Sequence, residues 1–395
     1  MLFRDQMRRE LEAKSSEFRS YVFEHGEAMA FYSKAMSVLT DADPAKLHTE
    51  LSGSNVGALP ADEMGNCRSF ERTFDADWNS HEDARAWAAS VLDNRTTFAA
   101  DGSQIYAAKK TSMPVAAVQI GWFENPHDAS RPYEKGGSFQ ILTPADLFRE
   151  QEDPMNPDVR VEERRYLGEV SRIGEFLEKN RGWSGRGERM PVAFFDNPLL
   201  VPFSQKGLQK SFLEATVGLV RLSAEAGVPI VGYVDRSFSR DLVSLLDFVG
   251  KRAAPASSGI YDAAVLFGAG DSKWGSRTCY FYSARRGLES FIDTASGVST
   301  VGFCYLRTSS DCPPARLDVP SWIYENGFIE ELVDVVRAEC VIGLGYPYPL
   351  ESADHAAVIS GGDREAFFRA LQEFASRERL DFNVSRKDES KQRRR

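Results

Sequence analysis

Long hydrophobic runs are missing from the sequence. No window reaches the ~18 uninterrupted apolar residues of a membrane-spanning helix, and the first thirty residues are rich in charge, which argues against a signal peptide. Paired cysteines are missing too: the five cysteines are scattered without Cys-x-x-Cys spacing, so no structural zinc site is expected. These absences favour a reducing compartment, and we expect a cytoplasmic protein without a membrane partner.

Several catalytic motifs are absent as well. The sequence has no Gly-x-x-x-x-Gly-Lys-Ser/Thr loop for ATP and no Gly-x-Gly-x-x-Gly turn after a strand for a dinucleotide. It also lacks the His-Glu-x-x-His motif of zinc peptidases and the Gly-x-Ser-x-Gly motif of α/β-hydrolases. The chemistry that depends on those motifs is therefore not expected.

The charge balance is acidic, with 58 acidic and 48 basic residues and a formal net charge of −10. This balance speaks against non-specific nucleic-acid binding through a cationic surface. It does not exclude a nuclease, because a metal site needs clustered carboxylates and bound ions offset part of their charge. Basic residues form a terminal group at 391–395, expected to be solvated, and a second group: Arg160, Arg164, Arg165, Arg172, Lys179, Arg181, Arg186 and Arg189.

The spacing of apolar residues predicts an α/β protein. Near-helical spacing predicts helices over residues 1 to about 50, and a capping-box pattern predicts a helix from Ser80 to Leu92. From Thr97 onward, short apolar runs predict a strand meander and then strands that alternate with helices, among them a long one at about 159–179. We predict a mixed sheet flanked by helices, with a helical arm at 1–90, a core domain at 91–380 and a basic tail at 381–395.

Two aspartates follow apolar runs that are typical of buried strands. Asp101 follows Thr96–Ala100 and precedes Gly-Ser, and Asp196 follows Pro191–Phe195 and precedes Asn-Pro. A carboxylate at the end of a strand, followed by a turn, can bind a divalent ion and leave room for a phosphate. The alternative is that both are ordinary turn residues, because Asp-Gly and Asp-Asn-Pro also form turns.

Helix residues extend this set of candidates. Two-metal sites need three to four carboxylates, or a His among them, around ions ~3.5–4 Å apart. Glu169 borders the apolar stripe of the long helix and could therefore point into a cleft. The alternative is that Glu169 is a solvated surface residue, like the several other acids of this helix. Asp354 and His355 lie one turn into a helix, where an acid is favourable even without a function. Structural and metal-binding roles both stay open.

These candidates lie within motifs that resemble the NurA nuclease family. The resemblance begins with Trp87-Ala88, Phe98–Gln104 and Val115–Trp122. It continues in the family's order, over about residues 80 to 375, through four further motifs: Phe195–Leu200, Gly232–Ser237, Gly345–Leu350 and Ala353–Ile359. Several motifs in the same order make the resemblance more specific than any of them alone.

The resemblance implies an RNase H-like core, a ring-shaped homodimer and manganese-dependent cleavage of DNA, both within single strands and from 5′ ends. It also implies a hexameric HerA-type ATPase as partner in processing the ends of DNA double-strand breaks. The family's metal-binding residues fall on Asp101, Glu169 and Asp196. The last ligand falls on Asp354, with His355 as the alternative or as a proton-transfer group, and Tyr346 is expected to line the cleft.

The resulting hypothesis is in-line attack on a DNA phosphodiester by a metal-activated water. One Mn²⁺ ion, between Asp101 and Asp196, would activate the water, and a second, held by Asp101, Glu169 and Asp354, would stabilise the leaving oxygen, with Mg²⁺ as the alternative metal. Phosphate contacts are expected from Arg236, Arg240 and Lys109, and the four-residue spacing of the two arginines fits one helical face. Two alternatives remain. One is a non-catalytic DNA clamp or regulatory subunit of a translocase complex, and the other is hydrolysis of small phosphoesters.

Overall fold

The computed structural model describes residues 3–51, 54–66, 71–76, 78–107, 112–148, 156–200, 209–251, 259–268 and 273–381. The chain forms two compact units, and neither is one continuous stretch. The first consists of Met1–Ala76 and Val234–Leu317, and the second of Asp77–Tyr233 and Asp318–Arg395. The basic tail predicted from residue 381 lies outside the described residues after its first position.

The helices and strands follow the chain in a mixed order. The helices are α1 (Arg4–Ala13), α2 (Ser15–Asp41), α3 (Pro44–Leu51), α4 (His81–Leu92), α5 (Pro144–Leu147), α6 (Pro157–Lys179), α7 (Gln209–Ala226), α8 (Asp241–Val249), α9 (Asp262–Gly268), α10 (Ser321–Glu325), α11 (Ile329–Ile342), α12 (Tyr348–Ala357) and α13 (Gly361–Arg377). The strands are β1 (Gly57–Pro60), β2 (Glu71–Arg72), β3 (Thr97–Ile105), β4 (Ala116–Asn125), β5 (Glu134–Leu142), β6 (Val192–Phe195), β7 (Ile230–Val234), β8 (Arg277–Thr278), β9 (Phe281–Ala284), β10 (Val301–Leu306) and β11 (Ala315–Pro320).

The second unit contains a mixed sheet in which strands lie in the order β5-β4-β3-β6-β7. The first three form an antiparallel meander, with Thr97 opposite Asn125 at one end of the β3–β4 pair and Ile105 opposite Ala117 at the other. The next two strands are parallel to β3 and to each other. A meander followed by two parallel strands on its first strand is the RNase H-like arrangement, so the predicted fold class is confirmed.

Helix α6 crosses from the meander to β6 and buries one face on the sheet. Its buried residues include Tyr166, Ile173 and Phe176, and the Phe176 ring stacks on Phe98 of β3 with centroids 4.7 Å apart. Burying a side chain of this size contributes roughly 1.5–3 kcal/mol. The helix starts at Pro157, close to the predicted start. The side chain of Asn156 accepts a hydrogen bond from the backbone N–H of Asp158 and so caps the helix.

The predicted start of α4 is also confirmed. The side chain of Ser80 accepts a hydrogen bond from the backbone N–H of Asp83, at 3.1 Å, which satisfies one of the free donors at the start of the helix. In return, the Asp83 carboxylate accepts from the backbone N–H of Asn79 rather than from that of Ser80. The capping pattern in the sequence therefore identifies the helix start correctly.

The first unit has its own apolar core, built from α2, α8, α9 and strands β1, β9 and β10. Helix α2 buries Tyr32 and Leu39 there, while its first half is exposed. Asp262 is fully buried and accepts hydrogen bonds from the backbone N–H groups of Leu242 and Val243, so it caps the start of α8. Within the described ranges, no helix is both long and apolar enough to cross a membrane.

Candidate active site

The sequence predicts that the strand carrying Asp101 ends at this residue, and this prediction is wrong. β3 continues to Ile105, because it stays paired with β4 over its whole length. Its parallel neighbour β6 stops earlier, at the pair Ala100–Phe195. Asp101 is therefore the first residue of β3 beyond the parallel pairing, and Asp196 is the corresponding residue after β6. The two carboxylates follow the same end of two adjacent strands, although only Asp196 stands at a bend.

Gly102 makes room for Glu169 rather than forming a turn. A Cβ atom at this position would lie 2.7 Å from Oε1 of Glu169 and 2.6 Å from Cγ of Arg165. Contacts that short are not tolerated, so a larger residue here would push the carboxylate of α6 away from the strand. The Gly after Asp101 therefore permits the close approach of a second carboxylate.

Glu169 is the most deeply buried of the candidate ligands, with 1% of its surface exposed. Its Oε1 accepts a hydrogen bond of 2.7 Å from Nη1 of Arg165, one helical turn earlier. Its Oε2 lies 3.4 Å from Nδ2 of Asn197. Burial raises the pKa of Glu169 to about 8, the Arg165 charge opposes this rise, and the charges of Asp101 and Asp196 add to it. The buried carboxylate thus lies in the field of the two strand aspartates.

Arg165 is not singled out as a site residue by the sequence reasoning, which places it in a group of eight basic residues. Its four-residue spacing from Glu169 on one helix is the signal that identifies the pair. Most of that basic group is matched by acids, through the pairs Arg160–Glu163, Arg172–Glu175, Lys179–Glu124, Arg181–Glu178 and Arg186–Glu188. The group therefore offers little unmatched positive charge.

Tyr346 is close to Asp196. The Tyr346 hydroxyl donates a 2.8 Å hydrogen bond to Oδ1 of this exposed aspartate. The Tyr346 ring packs edge-on against buried Tyr233, with centroids 5.2 Å apart. The turn before it depends on Gly343, where any Cβ would collide with the Tyr346 carbonyl, and on Gly345, with φ of 111°. The glycines of this turn therefore bring a tyrosine hydroxyl to the second aspartate.

Helix α12 packs against β4 at a glycine, and this close packing brings the helix near Asp101. Gly121 of β4 lies opposite Asp101, and a side chain there would collide with the backbone of α12 at Ala356 and Ala357. Burial raises the pKa of Asp101 to about 6, and the charges of Asp196 and Asp354 add to this rise. The packing of α12 thus brings Asp354 into the electrostatic field of Asp101. Both Asp354 and His355 are exposed.

The donor chemistry at this point fits a divalent metal ion. Carboxylates from β3, α6 and the end of β6 lie within one another's electrostatic field, and oxygen ligands suit Mn²⁺ and Mg²⁺. In the described part of the chain, however, no three His, Cys, Asp or Glu side chains are already arranged to enclose an ion. Two of the carboxylates are instead held by protein donors, Glu169 by Arg165 and Asp196 by Tyr346.

Three further residues were expected to bind phosphate: Arg236, Arg240 and Lys109. Arg236 and Arg240 belong to the first unit, where Arg236 is exposed and Arg240 is half-buried. The prediction that they share a helical face is wrong, because residues 235–240 are not helical and α8 begins at Asp241. Lys109 lies outside the described residues.

Several known proteins and one family model bear on the relationships of this chain. No curated protein matches the sequence. Among solved structures, the chain is similar to NurA with manganese (10% identity, 71% of this chain and 89% of the other, TM-score 0.39). It is also similar to the catalytic domain of human Endonuclease V (14% identity, 77% of this chain and 92% of the other, TM-score 0.33). A third similar structure is Ciona intestinalis Endonuclease V in complex with DNA (10% identity, 73% of this chain and 96% of the other, TM-score 0.28).

Scores this low do not by themselves establish a shared detailed structure. The family comparison is stronger, because the NurA domain model matches residues 95–359, more than half of the chain. That range includes β3, α6, β6 and α12, the elements that carry all the candidate carboxylates. The chain belongs to the NurA family of nucleases.

Proposed function

We propose that this protein is a metal-dependent DNA nuclease that cuts single strands internally and digests DNA from 5′ ends. The observation that carries the proposal is the convergence of Asp101, Glu169 and Asp196: burial raises the pKa values of Asp101 and Glu169, and the charges of the neighbouring carboxylates add to the rise. Like charges close together disfavour the charged forms of these groups, and a bound cation would relieve this repulsion. Several carboxylates that destabilise one another's charge are typical of a site that binds a cation.

Asp101, Glu169, Asp196 and Asp354 would hold two Mn²⁺ ions, with Mg²⁺ as the alternative. Ions bound there would supply an activated water and stabilise negative charge on the phosphate. The protein's own side chains prepare the site: the Tyr346 hydroxyl orients Asp196 through its hydrogen bond. His355, exposed in the last turn of α12, would transfer a proton to the leaving oxygen or replace Asp354 as a ligand.

The substrate contacts and partners form the second part of the proposal. Arg236, Arg240 and Lys109 would bind the phosphate backbone without reading sequence, and Tyr346 would line the cleft. We propose that the protein acts as a homodimer with a hexameric HerA-type ATPase in the processing of double-strand break ends. Membership of the NurA family supports this part of the proposal.

End-labelled linear DNA tests the activity directly. The wild-type protein is incubated with 5′-labelled single- and double-stranded DNA in Mn²⁺, beside Asp101→Asn, Glu169→Gln and Asp196→Asn. We expect short labelled products from the wild type and rates lower by about 100-fold or more in the variants, since even the partners of metal ligands typically matter 10- to 100-fold.

Glu175→Gln is the matched control, because Glu175 lies on the same helix, is exposed and pairs with Arg172. It should cut DNA like the wild type. Intact DNA in the wild-type reaction, or equal rates in all variants, would show that the nuclease proposal is wrong. Hydrolysis of a small phosphodiester, without cleavage of DNA, would support the small-substrate alternative instead.

A non-catalytic DNA clamp is the second candidate, and one observation favours it. Nη1 of Arg165 lies 2.7 Å from Oε1 of Glu169, as expected of a carboxylate whose partner is a protein cation rather than a metal ion. A clamp would retard labelled DNA in a gel and leave it uncut at any Mn²⁺ concentration. A nuclease would degrade it when Mn²⁺ is added.

A further inference from the structure

Arg165 stands where a cation is expected to bind. Its Nη1 is 2.7 Å from Oε1 of Glu169 and 3.5 Å from the carbonyl oxygen of Gly102, the residue after Asp101. Glu169 has 1% of its side chain exposed, whereas Arg165 has 27%. The pair therefore consists of a buried carboxylate and a cation that reaches it from the protein surface.

Arg165 leaves one of its own hydrogen-bond donors without an acceptor. Its Nε is buried and has no hydrogen-bond acceptor within the described part of the chain. A buried donor without a partner is unfavourable, so the guanidinium holds this position because of the carboxylate rather than because its own donors are satisfied. By contrast, Arg160 pairs with Glu163 at 2.8 Å, with both side chains exposed to the same extent.

We infer that Arg165 is a stand-in cation, an inference that rests on the proposed function: its guanidinium binds the oxygen of Glu169 that a divalent ion would use, and it has to leave Glu169 before that ion can bind there. Oε1 of Glu169 cannot bind the guanidinium and a metal ion strongly at the same time. The two cations also repel each other at such distances. A buried charge without a partner is strongly unfavourable, so the charged form of Glu169 is favoured only while one of the two cations is present.

Because the side chain of Arg165 is partly exposed, its guanidinium can move away from Glu169 into water. Its long side chain can keep its aliphatic part on the protein while the charged group turns to water. A guanidinium released beside a metal-bound carboxylate remains near the place where a phosphate binds, and this group suits phosphate well. Arg165 would thus be a positioning residue that couples metal binding to substrate binding.

Metal binding without DNA tests the inference. Mn²⁺ is titrated calorimetrically into the wild type, Arg165→Met, Arg165→Gln and Glu169→Gln, with Arg160→Met as the matched control on the same helix. Hydrogen bonds to charged groups are among the stronger ones, so removing the competing arginine should tighten Mn²⁺ binding by about tenfold or more. Arg160→Met should bind like the wild type, and Glu169→Gln should bind more weakly.

Arg165→Gln covers the case in which Arg165→Met does not fold, because Gln keeps a hydrogen-bond donor for Glu169 without the charge. If the folded Arg165 variants bind Mn²⁺ no more tightly than the wild type, the stand-in role is wrong while the metal site stands. If Mn²⁺ binding to the wild type does not depend on Glu169, the metal assignment in the proposed function is wrong, and this inference falls with it.

Discussion

Asp101 of β3 and Gly121 of β4 lie directly opposite each other, and the missing side chain of Gly121 is what allows α12 to reach the candidate site. A Cβ at Gly121 would lie 2.8 Å from Cβ of Ala356 and closer still to the backbone of Ala356 and Ala357. Backbone atoms of a packed helix cannot move aside cheaply. The position of Asp354 therefore depends on a glycine in another element.

Gly121→Ala should displace α12 and impair both stability and activity. Overpacking of this kind typically costs about 1–3 kcal/mol, which chemical denaturation measures. We expect the DNA cleavage rate to fall together with stability, because Asp354 and His355 move with the helix. Gly137→Ala is the matched control in the facing position of β5, since a Cβ there would only meet the Ile120 carbonyl at 3.5 Å. Equal effects of the two substitutions would contradict this account.

Tyr346→Phe should reduce activity without loss of stability. The substitution removes the hydroxyl that donates to Asp196 but keeps the ring that packs against Tyr233. Partners that orient a metal ligand typically matter 10- to 100-fold for activity, so we expect the cleavage rate to fall by about tenfold or more. Tyr348→Phe, which changes the other tyrosine of the same motif, should leave the rate unchanged. An active Tyr346→Phe protein would show that the hydroxyl has no role.

Glu339 makes stability depend on pH. It is fully buried on α11, accepts a hydrogen bond from Thr97, and lies 3.4 Å from Nε2 of His127. The other ring nitrogen of His127 must donate to the Arg95 carbonyl, which can only accept, so Nε2 of the neutral ring is itself an acceptor. This arrangement favours the protonated carboxyl. Burial raises the pKa of Glu339 to about 8 from 4.5 and lowers that of His127.

A carboxyl with a raised pKa stabilises the fold fully below the unfolded value and loses this contribution as the pH rises through the folded value. The free energy of unfolding should therefore fall between about pH 4.5 and pH 8, by up to about 1.4 kcal/mol per pH unit. Denaturation curves across this range measure it. Glu339→Gln should make the slope smaller but not abolish it, because Asp101 and Glu169 also have raised pKa values. An unchanged slope in this variant would rule out Glu339 as a source.

The sequence predicts the second unit well where the signals are local. The strand runs, the capped start of α4 and the long helix α6 follow from apolar spacing and capping residues. The mistake at Asp101 has a long-range cause: Asp-Gly-Ser is typical of a turn, and only the pairing with β4 extends the strand to Ile105. Likewise, no local pattern shows that residues 234–317 pack with the first 76 residues in one unit.

Individual site residues differ in the same way. Asp101 and Asp196 are recognisable because each directly follows an apolar run, whereas Glu169 is one acid among several on α6 and is distinguished by burial alone. The roles of Gly102 and Gly121 depend on atoms of α6 and α12, far away in sequence, so spacing cannot reveal them. Arg236 and Arg240 show the opposite error, since helical spacing was assumed where the chain is not helical.

Cleavage of circular single-stranded DNA in Mn²⁺ by the wild type and by Asp101→Asn tests the central claim most directly. A circle has no ends, so any product requires an internal cut at a phosphodiester bond. We predict that the wild type linearises and degrades the circle, that chelation of the metal stops it, and that Asp101→Asn is slower by about 100-fold or more. Intact circles with the wild type, or equal cleavage by Asp101→Asn, would contradict the assignment of this site.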